Sequence, residues 1–506
     1  MTALFPEIDT DPHPVFSIYS AGNFGEVAPQ RLSPMSWSLV GDPMERATRR
    51  LVQRVWGTTQ WCSGSNYVFV GYFGCRPYHN LSAYCHLTCE IPGMRTEDVT
   101  DAYFEGMAGP GPNPGLRSSL ARRGAGIPRL IRELCAVRMQ LALLEQDLAL
   151  LEEHTWESLR TRSEAGLMDV LIRARDVLDR AWASHIVTTA GLVPLRAMQR
   201  KLNARLLDHA EEIGPWLGHP SELVWRRLHQ SAALDADRGE GSFLHSAFYE
   251  VADSHKPWST YAVRHSIPAV DTELRSVMVS PGDALLGMLA RSRKLPVQSV
   301  ARIVGETMGD REHSKSLVMR TLHVFRRALP LLSDLWDLEE GRWPYLMVGE
   351  MLQLHREPTL MEAAEPRRTA CEEALAAPMP ESFDSIHRAL AASGRSPAPV
   401  PAAPARRSRG VAPGVASGTL IHADVEELPD GPCILVCESA DADVAPLLPY
   451  VAGVLSVRGS ELSHIAILCR ELGLPVVVGF EPAMTIPVGT PLSIDGSTGK
   501  VHSAER

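Results

Sequence analysis

Gly459-Ser460-Glu461-Leu462-Ser463-His464-Ile465-Ala466-Ile467-Leu468-Cys469-Arg470-Glu471-Leu472-Gly473-Leu474-Pro475 is the stretch on which the reading of this chain turns. It reads as the end of a strand, a tight turn, a short helix and a second turn. Gly459 and Ser460 permit a sharp change of direction after Val457. Ser463 is suited to cap the helix, because its side-chain oxygen can accept from an early backbone N–H. His464 then falls in the first helical turn, where free N–H groups and the positive end of the dipole favour negative charge. A phosphoryl group on the imidazole would be stabilised there. The same field disfavours an imidazolium, so the ring stays neutral and nucleophilic. The Ser463 hydroxyl would orient the ring or the phosphoryl oxygens. Gly473 ends the helix and Pro475 stops it from continuing. A serine–histidine pair alone would read as an ordinary helix start; the whole segment argues for chemistry at His464.

Around this segment the pattern is compact α/β. Strand-like runs are expected at Thr419 to His422, Cys433 to Cys437, Val454 to Val457, Pro475 to Val478 and Leu492 to Ile494. Short helices fit at Val444 to Val451 and at His464 to Leu472. Alternating strands and short helices predict a small layered α/β domain over residues 411–506.

The segment resembles the phosphohistidine signature of the phosphoenolpyruvate-utilising enzymes, approximately G-G-x-x-S-H-x-A-I-x-A-R-E-x-G-x-P. It matches at Gly459, Ser463, His464, Ala466, Ile467, Arg470, Glu471, Gly473 and Pro475, and departs at Ser460 and Cys469, where the family usually has Gly and Ala. The likeness continues at Val411 to Gly418, at Asp443 to Leu448, and at Ile494-Asp495-Gly496 with Gly499-Lys500-Val501. It implies a swivelling domain in which His464 carries the phosphoryl group, supported by Ser463, Gly459 and Arg470.

Before this domain, residues 392–410 read ASGRSPAPVPAAPARRSRG, an Ala/Pro-rich linker whose composition cannot bury a core. Residues 1–391 read as a mainly α-helical region with a few short strands. Leu130, Leu134, Val137, Leu141, Leu144, Leu148 and Leu151 alternate steps of four and three, the stripe of a long bundle helix. A coiled-coil dimer is the other use of such a stripe, but the pattern fades into EEHTWES after three heptads. Pro128 sits where a first-turn proline is tolerated. Further helices are expected at Ala165 to Ala210 and Pro281 to Leu338. Tyr67 to Val70 and the run through Tyr78, Asn80 and Leu81 read as strands, and Gly109 to Gly126 as a loop.

Composition sets outer limits. Among 506 residues, 45% are hydrophobic and 22% charged, as in soluble globular proteins. The net charge of −10 argues against non-specific binding to nucleic acid or anionic membranes. The nine cysteines are an odd number, several within apolar runs, which fits free thiols in the cytoplasm. The N-terminus does not read as a signal peptide, and no apolar stretch is long enough to span a bilayer. Cys85-His86-Leu87-Thr88-Cys89 with His79 lacks a second ligand pair, so no metal site is read there.

A further resemblance covers the N-terminal region. Asn23-Phe24-Gly25-Glu26-Val27 with Leu32-Ser33-Pro34-Met35-Ser36 is similar to the start of the substrate-binding region in rifampicin phosphotransferase-like members. Arg76, Tyr78, Asn80 and Leu81 resemble a strand motif there, Arg311-Glu312 a later helical element, and Gly341 to Leu352 its continuation. Glu26, Arg76 and Tyr78 are therefore expected among the substrate contacts. His255, Lys256 and Arg264, in the loop after Phe243, are expected to position an anionic intermediate. The family order is ATP-grasp domain, helical substrate domain, histidine domain; the first is not recognisable here, nor is a Walker-type loop. The resemblance thus implies a separate ATP-grasp protein as partner, holding ATP and Mg2+, a small-molecule acceptor in the helical region, and dikinase-type chemistry taking ATP to AMP and phosphate. Two other readings stand beside it: a catalytically silent binding or regulatory protein, and a phosphocarrier fed by phosphoenolpyruvate.

Overall fold

The computed structural model describes residues 5–22, 24, 31–57, 59–62, 67–104, 107, 109–207, 251–252, 295–339, 341–376, 379–385, 408–422, 425, 429–438, 444, 447–448, 450–460, 463, 466, 469–470 and 472–503. Within them the chain opens with β1 (Ile18–Ser20) and α1 (Pro34–Trp56), the latter capped by the Ser33 hydroxyl, which accepts from Ser36 N at 3.2 Å. Glu45 on α1 is buried, and its carboxylate accepts the N–H groups of Val68 (2.9 Å), Phe69 (2.8 Å) and Val70 (3.3 Å). That bonding corrects the expected strand at Tyr67 to Val70. The N–H groups of Val68 and Phe69 serve a side chain, and β2 (Val70–Phe73) begins at Val70, the last residue the carboxylate reaches. β2 turns into β3 (Arg76–Asn80) through Gly74 and Cys75, both at positive φ (57° and 60°), the two-residue turn that matches strand twist.

Leu81, read as strand, instead opens α2 (Leu81–Cys89), because the Asn80 side chain caps it by accepting from Ala83 N at 3.1 Å. Next come α3 (Thr96–Tyr103) and three long helices: α4 (Leu120–Thr161), α5 (Glu164–Leu207) and α6 (Leu295–Leu335). Leu130, Val137, Leu141, Leu144, Leu148 and Leu151 are buried, so the stripe packs inside the chain, against α5, α6 and α1. The loop expected up to Gly126 is shorter than read. Ser119 caps α4 by accepting from Arg122 N at 3.3 Å, and Pro128 lies within the helix. Gly126 is there for packing: a Cβ on it would sit 2.6 Å from the Trp56 indole nitrogen of α1. Nor does α4 end at the fading pattern, since small buried Thr155 and Ser158 continue its inner face. Residues 281–294 of the expected third helix lie outside the described residues. After α7 (Val348–Met351) and α8 (Ala364–Ala376), β4 (Ser382–Asp384) returns to pair with β1, giving a four-stranded sheet in the order β2-β3-β1-β4.

The C-terminal domain is strand-rich: β5 (Arg409–Ala412), β6 (Val415–His422), β7 (Cys433–Cys437), β8 (Gly453–Ser456), β9 (Val476–Val478), β10 (Pro491–Asp495) and β11 (Lys500–Ser503). They form one sheet in the order β11-β10-β6-β7-β8-β9-β5. β6 to β9 are parallel, and the outer strands are antiparallel to their neighbours. Ile434, Leu435, Val436, Val454 and Leu455 are buried, as two-faced parallel strands require. Sequence reading missed β5 and β11. Arg409 and Gly410, assigned to the linker, are in β5, where Gly410 abuts the backbone of Gly496: a Cβ would stand 2.1 Å from its carbonyl oxygen. Residues 392–407 lie outside the described residues. In the expected helix at Val444 to Val451, the described Val444, Leu447, Leu448 and Tyr450 form 3-10 turns.

The two regions touch. One continuous apolar cluster runs from the N-terminal helices through Val411, Leu435 and Val478 of the C-terminal sheet. Two ion-pair groups also cross the boundary: Arg409 Nη1 to Asp101 Oδ1 at 2.7 Å, and Arg458 to Glu381. No helix among the described residues is long and apolar enough to cross a membrane.

Candidate active site

The parallel strand β8 lies between β7 and β9, and the chain leaves its carboxyl end into the motif. Crevices at the carboxyl ends of parallel strands are where α/β sheets place ligands. The ladder continues two residues beyond β8, with Val457 N on Cys437 O (3.1 Å) and Arg458 N on Glu438 O (2.9 Å). Ser456 Oγ then donates to Arg458 O at 2.5 Å and closes the strand end. Gly459 takes φ +143°, and a Cβ on it would meet Val478 Cγ1 at 3.0 Å; both the dihedral and the space favour glycine.

Ser463 has the capping place expected of it. It is fully buried, its N–H reaches Ser460 O at 3.1 Å, and its Oγ accepts from Ala466 N at 3.4 Å, the bond of an N-cap to the third helical residue. Ala466, Cys469, Arg470 and Leu472 are helical. The helix closes with the paired bonds of a Schellman motif: Gly473 N to Arg470 O (3.2 Å) and Leu474 N to Cys469 O (2.8 Å), with Gly473 at φ +67°. Arg470 donates to Val411 O at 3.3 Å and so ties the helix to β5. Cys469, where the family pattern has alanine, is fully buried, and burial pushes its thiol well above the ordinary range. His464 itself lies outside the described residues, as do Glu26, His255, Lys256 and Arg264.

The remaining expected residues, Arg76 and Tyr78, are on β3. Tyr78 is 0% exposed, and its hydroxyl donates to Pro380 O at 2.7 Å, so any ligand at this sheet would meet Arg76 rather than the phenol. Arg76 donates to Met379 O at 2.9 Å, and its guanidinium stands 3.6 Å from Glu381 Oε1. The same Glu381 oxygen pairs with Arg458, the residue before Gly459. One carboxylate thus joins the arginine expected to meet the acceptor and the arginine that leads into the histidine turn. Glu381 and Arg458 escaped sequence reading, since neither belongs to a local motif and their pairing is tertiary.

Behind β3, His79 is buried, stacked on Phe24 at 4.2 Å and next to the Tyr103 hydroxyl (3.3 Å). Burial holds its imidazole down to about 3, so it is neutral. Arg311 and Glu312 form a buried pair on α6, one turn from the contact between Ser314 and His185 of α5 (3.1 Å). Among the described residues, no group of three or more His, Cys, Asp or Glu is placed to hold a metal ion.

Residues 429–499 match the family model for the mobile domain of PEP-utilising enzymes. The C-terminal domain belongs to that family. The matched residues run from the turn before β7 through the β10–β11 turn and include the strand, turn and capped helix described above. A phosphoenolpyruvate-protein phosphotransferase of Streptomyces coelicolor is 45% identical, over 14% of this chain and 13% of its own. A phosphoenolpyruvate synthase of Pyrococcus furiosus is 31% identical, over 18% of this chain and 12% of its own. An uncharacterised protein of Mycobacterium tuberculosis is 25% identical over 99% of this chain. The chain spans 63% of the length of that mycobacterial relative. Its mobile domain is thus similar to segments of proteins named as a phosphoenolpyruvate-protein phosphotransferase and a phosphoenolpyruvate synthase.

Proposed function

We propose that this chain is the phosphohistidine-bearing part of a phosphotransferase. His464 takes a phosphoryl group at one site and delivers it to a small-molecule acceptor held by the helical region. The supporting observation is the Ser463-capped helix start behind Gly459, at the carboxyl end of a central parallel strand, in a segment matching the PEP-utilising mobile domain. The demands on the protein are positioning and charge neutralisation, because phosphoryl transfer needs little else from side chains. Arg76 and Arg458 are the described guanidiniums for that work; Lys256 and Arg264 are further candidates by sequence.

Loading is proposed to be of dikinase type. A separate ATP-grasp protein would hold ATP and Mg2+, the β-phosphoryl would pass to His464, and AMP and inorganic phosphate would leave. A second donor has its own support, for the relative with the highest identity quoted above is named for phosphoenolpyruvate. The test mixes the chain with an ATP-grasp protein and β-labelled ATP, and in a parallel arm with labelled phosphoenolpyruvate and its transferase. Acid-labile, base-stable label that disappears in His464→Ala is expected in one arm, and the arm names the donor. A wild-type chain that stays unlabelled in both, with active partners, would sink the carrier role.

A further inference from the structure

α4 is apolar on two opposite faces. One carries the buried stripe from Leu130 to Leu151. The other carries Ile127 (42% exposed), Ile131 (54%), Met139 (68%), Leu143 (55%) and Leu150 (67%), with exposed Cys135 between them. Six of the fifteen exposed large hydrophobic residues described are on this one helix, which is too many for scatter. At 100° per residue, Ile131, Cys135, Met139, Leu143 and Leu150 share one strip, turned away from the bundle.

The charges along α4 say what covers that strip. Its first half carries Arg122, Arg123, Arg129, Arg132 and Arg138 against Glu133, and its second half Glu145, Asp147, Glu152, Glu153 and Glu157 against Arg160. Most also have partners within the chain: Arg129 donates to Val55 O, Arg132 stands near Glu133, Arg138 binds Asp310 and Glu306, Glu145 binds His313 and Arg320, Asp147 binds Arg180, Glu152 binds Arg320, and Glu157 pairs with Arg160. Arg129 and Arg132 at one end, and Glu153 and Glu157 at the other, are exposed. A helix polarised in this way repels a parallel copy of itself and attracts an antiparallel one.

We propose that two copies of this chain associate through the outer faces of α4, antiparallel about a two-fold axis crossing the helix near Leu141. The strip is self-complementary about that point. Met139 meets Leu143 of the other copy, Ile131 meets Leu150, and Arg129 and Arg132 bracket Glu153; each pairing is centred on nearly the same residue. Ile127 then faces the surface hollow lined by Leu150, Glu153, His154, Trp156, Glu157 and Arg160. Such isologous contact is the commonest form of protein self-association. A seam of about 50 Å along two helices buries about 1,000 Å² in total, so a reversible, micromolar dimer is expected.

The test is sedimentation equilibrium of the full chain from about 1 to 100 μM, as suits an interface of that size. Dimer mass at the upper end is expected, with Leu143→Glu weakening association at least tenfold while circular dichroism stays unchanged. Orientation is read in a Cys135→Ser background carrying Ile131→Cys and Leu150→Cys. Oxidation should link position 131 of one copy to 150 of the other. A monomer throughout the range, a dimer indifferent to Leu143→Glu, or 131–131 links would each overturn the proposal.

Discussion

Replacing Glu381 by glutamine should loosen the contact between the two regions. The carboxylate holds Arg458 and stands 3.6 Å from Arg76. Glu381 is 39% exposed, and the two guanidiniums 23% and 15%. Pairs of this exposure contribute about 0.2–1 kcal/mol each, and the substitution also leaves two like charges facing each other. The docked state should lose about 1–2 kcal/mol, a five- to thirtyfold rise in the undocked fraction. Asp101→Asn, which releases Arg409, should add to it, because the two ion pairs share no atoms. Hydrogen–deuterium exchange of peptides covering 408–412 and 453–460 reads the opening, with peptides from α4 as the internal control. Wild-type protein in 0.5 M NaCl should shift the same way, since the pairs are partly solvated. Exchange that is unchanged in the variant and indifferent to salt would show that the apolar contact alone holds the docked state, and the ionic reasoning would fail.

Other substitutions test the site and its supports. Ser463→Ala should lower stability by about 1 kcal/mol through loss of the cap, whereas Ser460→Ala should raise it by a similar amount, read as opposite shifts in thermal midpoint. The second sign follows because the Ser460 hydroxyl is buried with no hydrogen-bond partner among the described residues. Glu45→Gln places an amide donor against backbone N–H groups and should cost about 3 kcal/mol in denaturant unfolding. His79 is held to about 3 in the fold against 6.5 when free. Its contribution is therefore complete above 6.5 and is lost as pH falls towards 3. Wild type should lose about 2 kcal/mol more than His79→Phe between pH 7 and pH 5. Equal pH slopes for the two proteins would refute that.

The C-terminal domain was legible because its signals are local. Cys433–Cys437 is an apolar run that can only be a buried strand, and Ser463 and Gly473 bracket a helix by their own chemistry. What escaped was tertiary. Arg409-Gly410 has no strand pattern and becomes β5 only because β9 offers an edge and Gly496 a backbone to lie against. Gly126 reads as the end of a loop and Pro128 as a first-turn proline, yet α4 starts at Leu120, capped by Ser119, with Gly126 leaving room for Trp56. Arg76 was legible as a candidate through family likeness; that Glu381 joins it to Arg458 was not, since the three come from distant parts of the chain.

β4 has a consequence for distance. By pairing with β1, it anchors the chain at Ser385, whose N–H reaches Ser17 O at 2.8 Å, well after α8. Only the peptide steps from Ser385 to Arg409 remain to tether the mobile domain, and fully extended they reach about 80 Å. That length is a radius drawn around the β1–β4 edge. On the function proposed above, His464 can be loaded only within that length plus the span of its own domain, so the tether would select a donor by geometry as well as by affinity.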